Sequence, residues 1–124
     1  MKNLIIIILF ICTLFSCTKD YTKENEITSQ TLILGTWVSV DKSDTLEFAN
    51  ENDLYQSNST VRHDHFDYTI YNDSIEIGYD GILYILVLPT KHKYFFNGDD
   101  LTIDFSNRNC YGFDKQSITY TKDK

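Results

Sequence analysis

Residues 66–105, FDYTIYNDSIEIGYDGILYILVLPTKHKYFFNGDDLTIDF, decide the fold of this chain. Apolar and polar residues alternate in short runs, as they do in half-buried β-strands. The runs are separated by the turn signals Asn72-Asp73, Asp80-Gly81 and Asn97-Gly98. Pairs such as Asn-Gly and Asp-Gly favour tight hairpins because both central residues of a type I′ turn need positive φ. The stretch therefore predicts consecutive antiparallel strands.

The same pattern continues on both sides of this stretch. A short helical turn is predicted over 29–34. The predicted strands are 35–40, 45–49, 53–57, 66–71, 74–79, 82–88, 91–96, 101–105 and 117–121. Residues 82–88 are apolar on both faces, which predicts a central or covered strand. Short strands at near-regular spacing, without long helical periodicity, predict one all-β domain over 29–124. We expect a small antiparallel up-and-down β-barrel of about eight to nine strands.

The N-terminus has the anatomy of a bacterial secretory signal, with Lys2 before an apolar run and Cys17 after Leu14-Phe15-Ser16. The apolar run of about a dozen residues is too short for a transmembrane helix, which needs roughly 20. The segment resembles a lipobox, which implies cleavage before Cys17 and lipidation of that cysteine. An ordinary cleaved signal is the alternative. We expect a signal peptide over 1–16 and a lipidated cysteine with a flexible tether over 17–28. The membrane would then be a partner, because the lipid on Cys17 would insert into a bilayer of a bacterial cell envelope. The sequence does not indicate which leaflet carries the lipid.

Charge and cysteine content exclude some classes of function. The chain has 18 acidic and 11 basic residues, for a net charge of −7, and the predicted signal contains Lys2 but no acid. An acidic domain repels phosphate backbones, so we expect no nucleic-acid partner. Cys12 would leave with the signal and Cys17 would be acylated, so Cys110 has no partner for an internal disulfide. We interpret Cys110 as an incidental, partly buried thiol.

The first strand opens with Leu34-Gly35-Thr36-Trp37, directly after the helical turn. This Gly-x-Trp resembles the lipocalin signature, and the chain is similar to small lipocalin-like lipoproteins common in Bacteroidetes, from about residue 33 to 122. The resemblance implies that Trp37 plugs the closed end of the barrel and that Gly35 lets backbone pass close to it. Lipocalins also place an arginine over the tryptophan, and here Arg108 or Lys122 would serve.

His63, His65 and His92 are the candidate metal ligands. Residues two apart on a strand face the same side, so His63 and His65 would present two imidazoles to one ion. Because they follow a polar loop, we favour exposed histidines and expect no metal site.

Acidic residues mark turns rather than a catalytic centre. Asp99-Asp100, and Glu51 with Asp53, are interpreted as solvated turn acids. The sequence has no local catalytic triad, phosphate-binding loop or nucleotide motif, so we expect neither an enzyme nor a cofactor.

Two functional hypotheses remain. The first is a non-catalytic module that binds a small apolar or amphiphilic ligand in the barrel mouth. Its pocket would be shaped by Trp37, Tyr68, Ile77, Tyr84 and Phe95. The alternative is a lipoprotein that binds an envelope protein, as an inhibitor or assembly accessory, through an outer face or the loops at 57–65 and 106–116. The first predicts an apolar cavity, and the second a filled interior with an exposed aromatic patch.

Overall fold

The computed structural model describes residues 28–124, so the predicted signal and Cys17 lie outside the described residues. This part of the chain forms one short helix and eight strands. They are α1 (Ser29–Ile33), β1 (Gly35–Ser39), β2 (Asp44–Phe48), β3 (Asp53–Asn58), β4 (Asp64–Ile70), β5 (Ser74–Tyr79), β6 (Thr90–Asn97), β7 (Asp100–Asp104) and β8 (Ser117–Lys122). Between Thr28 and Lys124 no helix combines the length and apolar character that a membrane span requires.

Each strand pairs antiparallel with the next strand in the chain, and β8 pairs with β1 to close the barrel. The closing register brings Trp37 opposite Lys122 and Ser39 opposite Tyr120. Closure leaves no unpaired sheet edge, which removes a site for aggregation. The predicted small antiparallel up-and-down barrel is confirmed.

The alternation of residue types sets which side chains fill the barrel. On β2, Leu46 and Phe48 are buried while Glu47 between them is exposed. Successive side chains of a strand point to opposite faces, so one face of each strand supplies the core. The largest fully buried side chains are Trp37, Tyr68, Tyr120, Phe48, Phe66 and Phe105. Aromatic side chains therefore fill much of the interior.

The predicted strand at 82–88 is wrong. These residues belong to the connection between β5 and β6, and most of their side chains are exposed. β5 instead pairs directly with β6, where Ile77 lies opposite Thr90. In a closed barrel this leaves no edge for another strand, although the sequence has strong strand character. The predicted Asp80-Gly81 hairpin turn is replaced by the connection at 80–89. The other eight predicted strands are present, with ends within about two residues.

The two ends of the barrel differ. Short turns at 49–52, 71–73 and 98–99 lie at the same end as α1. The longer connections lie at the opposite end, which we call the mouth; they are 40–43, 59–63, 80–89 and 105–116.

Helix α1 packs on the end away from the mouth. Ile33 is fully buried, and its backbone oxygen accepts a hydrogen bond from Trp37 Nε1 at 2.7 Å. Lys122 Nζ lies 5.1 Å from the centroid of the Trp37 ring and donates to the backbone oxygen of Leu32 at 3.2 Å. Of the two cations considered from the sequence, Lys122 is the one that lies over Trp37. This end is covered, so the mouth is the open end.

Candidate functional site

A cavity of about 430 Å³ opens at the mouth of the barrel. It lies between the β1–β2 hairpin, the β3–β4 loop and the segment 112–119. Its lining residues are mainly polar: Ser39, Val40, Asp41, Ser43, Asp44, Gln56, Asn58, Ser59, Thr60, Gly112, Phe113, Asp114, Gln116, Ser117, Ile118 and Thr119. Small-molecule sites in proteins commonly have volumes of about 300–1,000 Å³. We call this the mouth cavity.

The carboxylate of Asp44 is a buried acid in the wall of the mouth cavity, where the residue is 9% exposed. Gln56 Nε2 donates to its two oxygens at 3.1 and 3.2 Å, and Tyr120 donates its hydroxyl proton to Oδ2 at 2.9 Å. Burial raises the pKa of Asp44, and the hydrogen bonds from Tyr120 and Gln56 oppose that rise. Asp44 is thus a desolvated acceptor held in place by two buried donors.

Gln56 is only 1% exposed, and its amide orientation follows from its neighbours. Nε2 faces Asp44 and also donates to the backbone oxygen of Gly112 at 2.8 Å. Because these partners are all acceptors, the NH₂ group must face them and Oε1 must face away. Within residues 28–124, Oε1 has no hydrogen-bond partner. The wall of the cavity therefore contains a buried acceptor that lacks a donor.

The backbone at Gly112 approaches this amide closely. Its φ is +83°, and a Cβ added there would lie 2.8 Å from Gln56 Oε1 and 3.1 Å from Phe66 Cζ. A side chain at this position would collide with Gln56 Oε1, would crowd the ring of Phe66 and would require a strained backbone. Glycine therefore allows the 105–116 connection to lie against the floor of the cavity.

A second carboxylate belongs to the β1–β2 hairpin. Asp41 Oδ1 accepts hydrogen bonds from Ser39 Oγ and Ser43 Oγ, both at 2.7 Å, and from the Ser43 backbone nitrogen at 3.1 Å. The side-chain bonds from Ser39 and Ser43 lower the pKa of Asp41 to about 2, so this group is ionised at neutral pH. Asp114 supplies a third carboxyl group. No Lys, Arg or His from residues 28–124 belongs to the lining, so the cavity is negatively charged.

The five residues predicted to shape the ligand pocket are not brought together. Trp37, Tyr68 and Ile77 are buried in the packed interior of the barrel. Tyr84 is fully exposed on the 80–89 connection, and Phe95 is 57% exposed on the outer wall of β6. None of the five lines the mouth cavity. Tyr84 departs from the expectation because the strand predicted to carry it is absent, and Phe95 because it alternates with the inward-facing Tyr94.

The three candidate histidines do not form one group, although His63 and His65 both contact the ring of Tyr55. His92 is 3% exposed inside the barrel, with Nε2 2.7 Å from Thr90 Oγ1. His65 lies on the outer face of β4. His63 precedes that strand, has φ of 61° and stacks on Tyr55 with ring centroids 4.3 Å apart. The hypothesis of one ion shared by these histidines is wrong, because the barrel wall separates His92 from the others.

His65 instead lies among carboxylates. Its Nε2 is 2.9 Å from Asp53 Oδ1, and its Nδ1 is 3.2 Å from Asp80 Oδ2. Burial lowers the pKa of His65, but the hydrogen bonds to Asp53 and the Asp80 backbone, with the charges of Asp53 and Asp67, outweigh it and raise the pKa overall. Asp53, His65 and Asp67 offer metal-ligand atoms within 4.8 Å of one another, but the ion pair accounts for their proximity.

Cys110 is buried, and this burial raises the pKa of its thiol to about 11. At neutral pH the group is therefore a protonated thiol, which is a poor nucleophile.

A second surface feature is the apolar loop segment, which we define as residues 82–88. Its exposed large side chains are Ile82, Leu83, Tyr84, Ile85, Leu86 and Leu88. Clustered exposed apolar groups on a soluble domain usually mark a contact surface. The segment belongs to the same end of the barrel as the mouth cavity.

Comparisons of this chain with protein-family profiles, with curated proteins and with solved structures each found no match.

The mouth-cavity residues were not among those expected to shape a ligand pocket, although part of the lining belongs to the loops at 57–65 and 106–116 that were expected to bind a protein. Two further lining residues carried a signal in the sequence. Asp44 shares a strand face with Leu46 and Phe48, and Gln56 shares one with Leu54. A polar residue at an inward position must be hydrogen-bonded or lie beside a solvent-filled space. Gly112 gave no such signal, since its role depends on a contact made across the barrel.

Proposed function

We propose that this protein is a lipid-anchored, non-catalytic binding module of the lipocalin-like kind, acting in a bacterial cell envelope, and that it binds a small amphiphilic molecule at the barrel mouth. The mouth cavity is the observation that carries the proposal. It has the volume of a small-molecule site, and it combines polar groups with the apolar side chains of Val40, Phe113 and Ile118.

The position of the cavity determines the chemistry of the ligand. A lipocalin-like carrier of apolar molecules needs a hollow interior, whereas Trp37, Tyr68, Phe66 and other core side chains occupy this one. A molecule bound at the mouth meets Asp44, hydroxyl groups and backbone. Desolvating these polar groups is costly unless the ligand hydrogen-bonds to them. The proposed ligand is therefore amphiphilic rather than wholly apolar.

The lipid anchor is proposed on the sequence around Cys17, where a short apolar run ends in Leu14-Phe15-Ser16-Cys17. Two or more acyl chains give firm membrane attachment, since each buried methylene adds ~0.8 kcal/mol. Expression of the full chain in bacteria with radiolabelled palmitate tests this. Label should enter the wild-type protein and be absent from the Cys17→Ser variant. Equal labelling of both chains would contradict the anchor.

Ligand binding is tested with the full chain in detergent micelles, using saturation-transfer NMR against a fragment panel of neutral, anionic and cationic compounds. The Ser59→Trp variant places a large side chain at the rim of the cavity, on an exposed residue. The matched control, Asn72→Trp, adds the same group to an exposed turn at the α1 end. Compounds that bind at the mouth should bind to the control but at least about tenfold more weakly to Ser59→Trp. Binding that Ser59→Trp leaves unchanged would contradict the proposal.

A second candidate function is docking to an envelope protein, favoured by the apolar loop segment. Its side chains are exposed on a connection that carries no charged residue between Ile82 and Leu88 and belongs to no strand of the barrel. Such a segment fits an apolar groove on a partner protein.

Photo-crosslinking in intact cells tests this second candidate, with the reactive group at position 84 and, as a control, at the exposed Phe95. One adduct of defined mass should form from position 84 alone and should disappear in the Ile82→Ser/Leu86→Ser variant. Equal adducts from both positions would argue against docking. An adduct between two copies of this chain would assign the segment to self-association instead.

A further inference from the structure

We infer that the mouth cavity selects a small organic cation, an amine that also carries hydroxyl or other hydrogen-bonding groups. This inference rests on the proposed function and specifies its ligand class. It is drawn from the charge, the hydrogen-bonding character and the volume of the cavity.

Charge is the first argument. Asp41, Asp44 and Asp114 contribute carboxyl groups to the lining, and no basic side chain of the described chain does so. Lys42 and Lys115 are neighbours in sequence but are not part of the wall. A concave site lined by one sign of charge concentrates ions of the opposite sign. An anionic ligand would be repelled from this cavity.

Hydrogen-bonding capacity is the second argument. Gln56 Oε1 is buried, has no partner within residues 28–124 and accepts but cannot donate. Asp44 is a desolvated acceptor next to it, joined to the same Gln56 by two contacts. An ammonium group supplies several donors and one positive charge, which complement the unpaired acceptor of Gln56 and the carboxyl group of Asp44.

The volume of the cavity and the spacing of its carboxylates favour an organic cation over a metal ion. Calcium requires six to eight oxygens at about 2.3–2.6 Å from one point. Asp41 and Asp44 already receive hydrogen bonds from Ser39, Ser43, Gln56 and Tyr120. Within the described chain, the carboxylates of this cavity do not form a cluster with metal-ligand spacing. A cavity of about 430 Å³ instead accommodates an organic molecule of several heavy atoms, and Phe113 offers its carbon skeleton an apolar surface.

The test uses a matched series of sugars on the full chain in detergent micelles, measured by titration calorimetry. Glucosamine is the cation, N-acetylglucosamine the neutral analogue and glucuronate the anion; spermidine and ethanolamine extend the amine series. We expect at least one amine to bind, and glucosamine to bind about tenfold or more tightly than its two analogues. Added salt should weaken amine binding.

Two variants locate the charge that matters. Asp41→Asn and Asp114→Asn each remove one exposed carboxylate from the cavity, whereas Asp99→Asn makes the same charge change in the turn at the α1 end. The first two should weaken amine binding severalfold and the third should not.

The outcomes separate the inference from the proposed function. Neutral or anionic compounds that bind at the mouth, with blockage by Ser59→Trp, would overturn the cation inference and leave the proposed function standing. If no compound of any charge binds at the mouth at millimolar concentration, both fail. Tighter binding of Ca²⁺ or Mg²⁺ than of every amine would also overturn the inference.

Discussion

Single residues set the geometry of the mouth cavity. Gly112 brings a loop against Gln56, the Gln56 amide donates to Asp44, and Tyr120 on β8 donates to Asp44 on β2 past the intervening strand β1. These contacts join residues up to 76 positions apart in sequence. The contact between Tyr120 and Asp44 depends on closure of the barrel by β1 and β8, so a substitution there tests the site and the fold together.

The Gly112→Ala variant should lose about 2 kcal/mol or more of the free energy of unfolding. The residue combines a φ of +83° with too little space for a Cβ, so the substitution adds strain and a collision. Gly98→Ala is the matched control, because Gly98 has a φ of +62° and no heavy atom within 4 Å of the added Cβ. It should lose only about 1 kcal/mol. Equal losses in urea denaturation would contradict the close approach at Gly112.

Tyr120→Phe should cost about 1–3 kcal/mol, because it deletes a donor to a buried carboxylate and leaves Asp44 less satisfied. Since the hydrogen bond from Tyr120 holds the pKa of Asp44 down, that pKa should rise further in the variant. Carbon-detected NMR titration of the Asp44 carboxyl measures this directly. Tyr111→Phe, on a partly exposed ring, should change stability by no more than about 0.5 kcal/mol. An unchanged Asp44 titration in Tyr120→Phe would refute this description of the network.

His65 should make the stability of the protein depend on pH. Its pKa is raised above the ordinary value of 6.5, so the folded state binds the proton more tightly than the unfolded chain does. The resulting stabilisation is fully present below about pH 6.5 and is lost as the pH rises through the raised value. Urea midpoints of wild type and His65→Gln should therefore differ more at about pH 5.5 than at about pH 8.5. A difference that is the same at both pH values would rule out the ion pair with Asp53.

At the scale of elements, the local sequence predicts where strands lie far better than it predicts which strands pair. The turns at Asn72-Asp73 and Asn97-Gly98 and the alternation around Leu46 and Phe48 are local signals, and the structure has the expected strands there. Residues 82–88 have equally strong strand character but no partner, since β6 occupies the edge of β5. Pairing is decided by the whole barrel, so the local pattern wrongly predicts a strand at 82–88 and wrongly places Tyr84 in a ligand pocket.

Two leucines test how the elements divide into core and surface. Leu101 on β7 is 0% exposed, whereas Leu86 in the apolar loop segment is 96% exposed. Leu101→Ala should cost about 2–5 kcal/mol through lost packing and a residual cavity. Leu86→Ala should change the free energy of unfolding by no more than about 0.5 kcal/mol. Equal destabilisation of the two variants in urea would mean that Leu86 is packed, as a covered strand at 82–88 requires, and would contradict the exposed segment.

At the scale of the whole molecule, the barrel has one covered end and one open end. α1, Trp37 and Lys122 cover the first, and the mouth cavity with its carboxylates opens at the other. The alternating sequence patterns predict the barrel, and the Gly-x-Trp resemblance implies the position of Trp37 at its covered end. The mouth cavity did not, because its wall is assembled from the β1–β2 hairpin, β3 and residues 112–119, which no local pattern connects.

The central claim is that a ligand binds at the mouth and not inside the barrel. Titration of the ¹⁵N-labelled full chain with glucosamine tests it most directly, with Trp37 as the reporter of the covered end, because it is the only tryptophan and its indole donates to Ile33. We predict shifts of the amides of Gly112, Ser43 and Asp44, with the Trp37 indole signal unmoved. A shifted Trp37 indole with silent mouth amides would contradict the account.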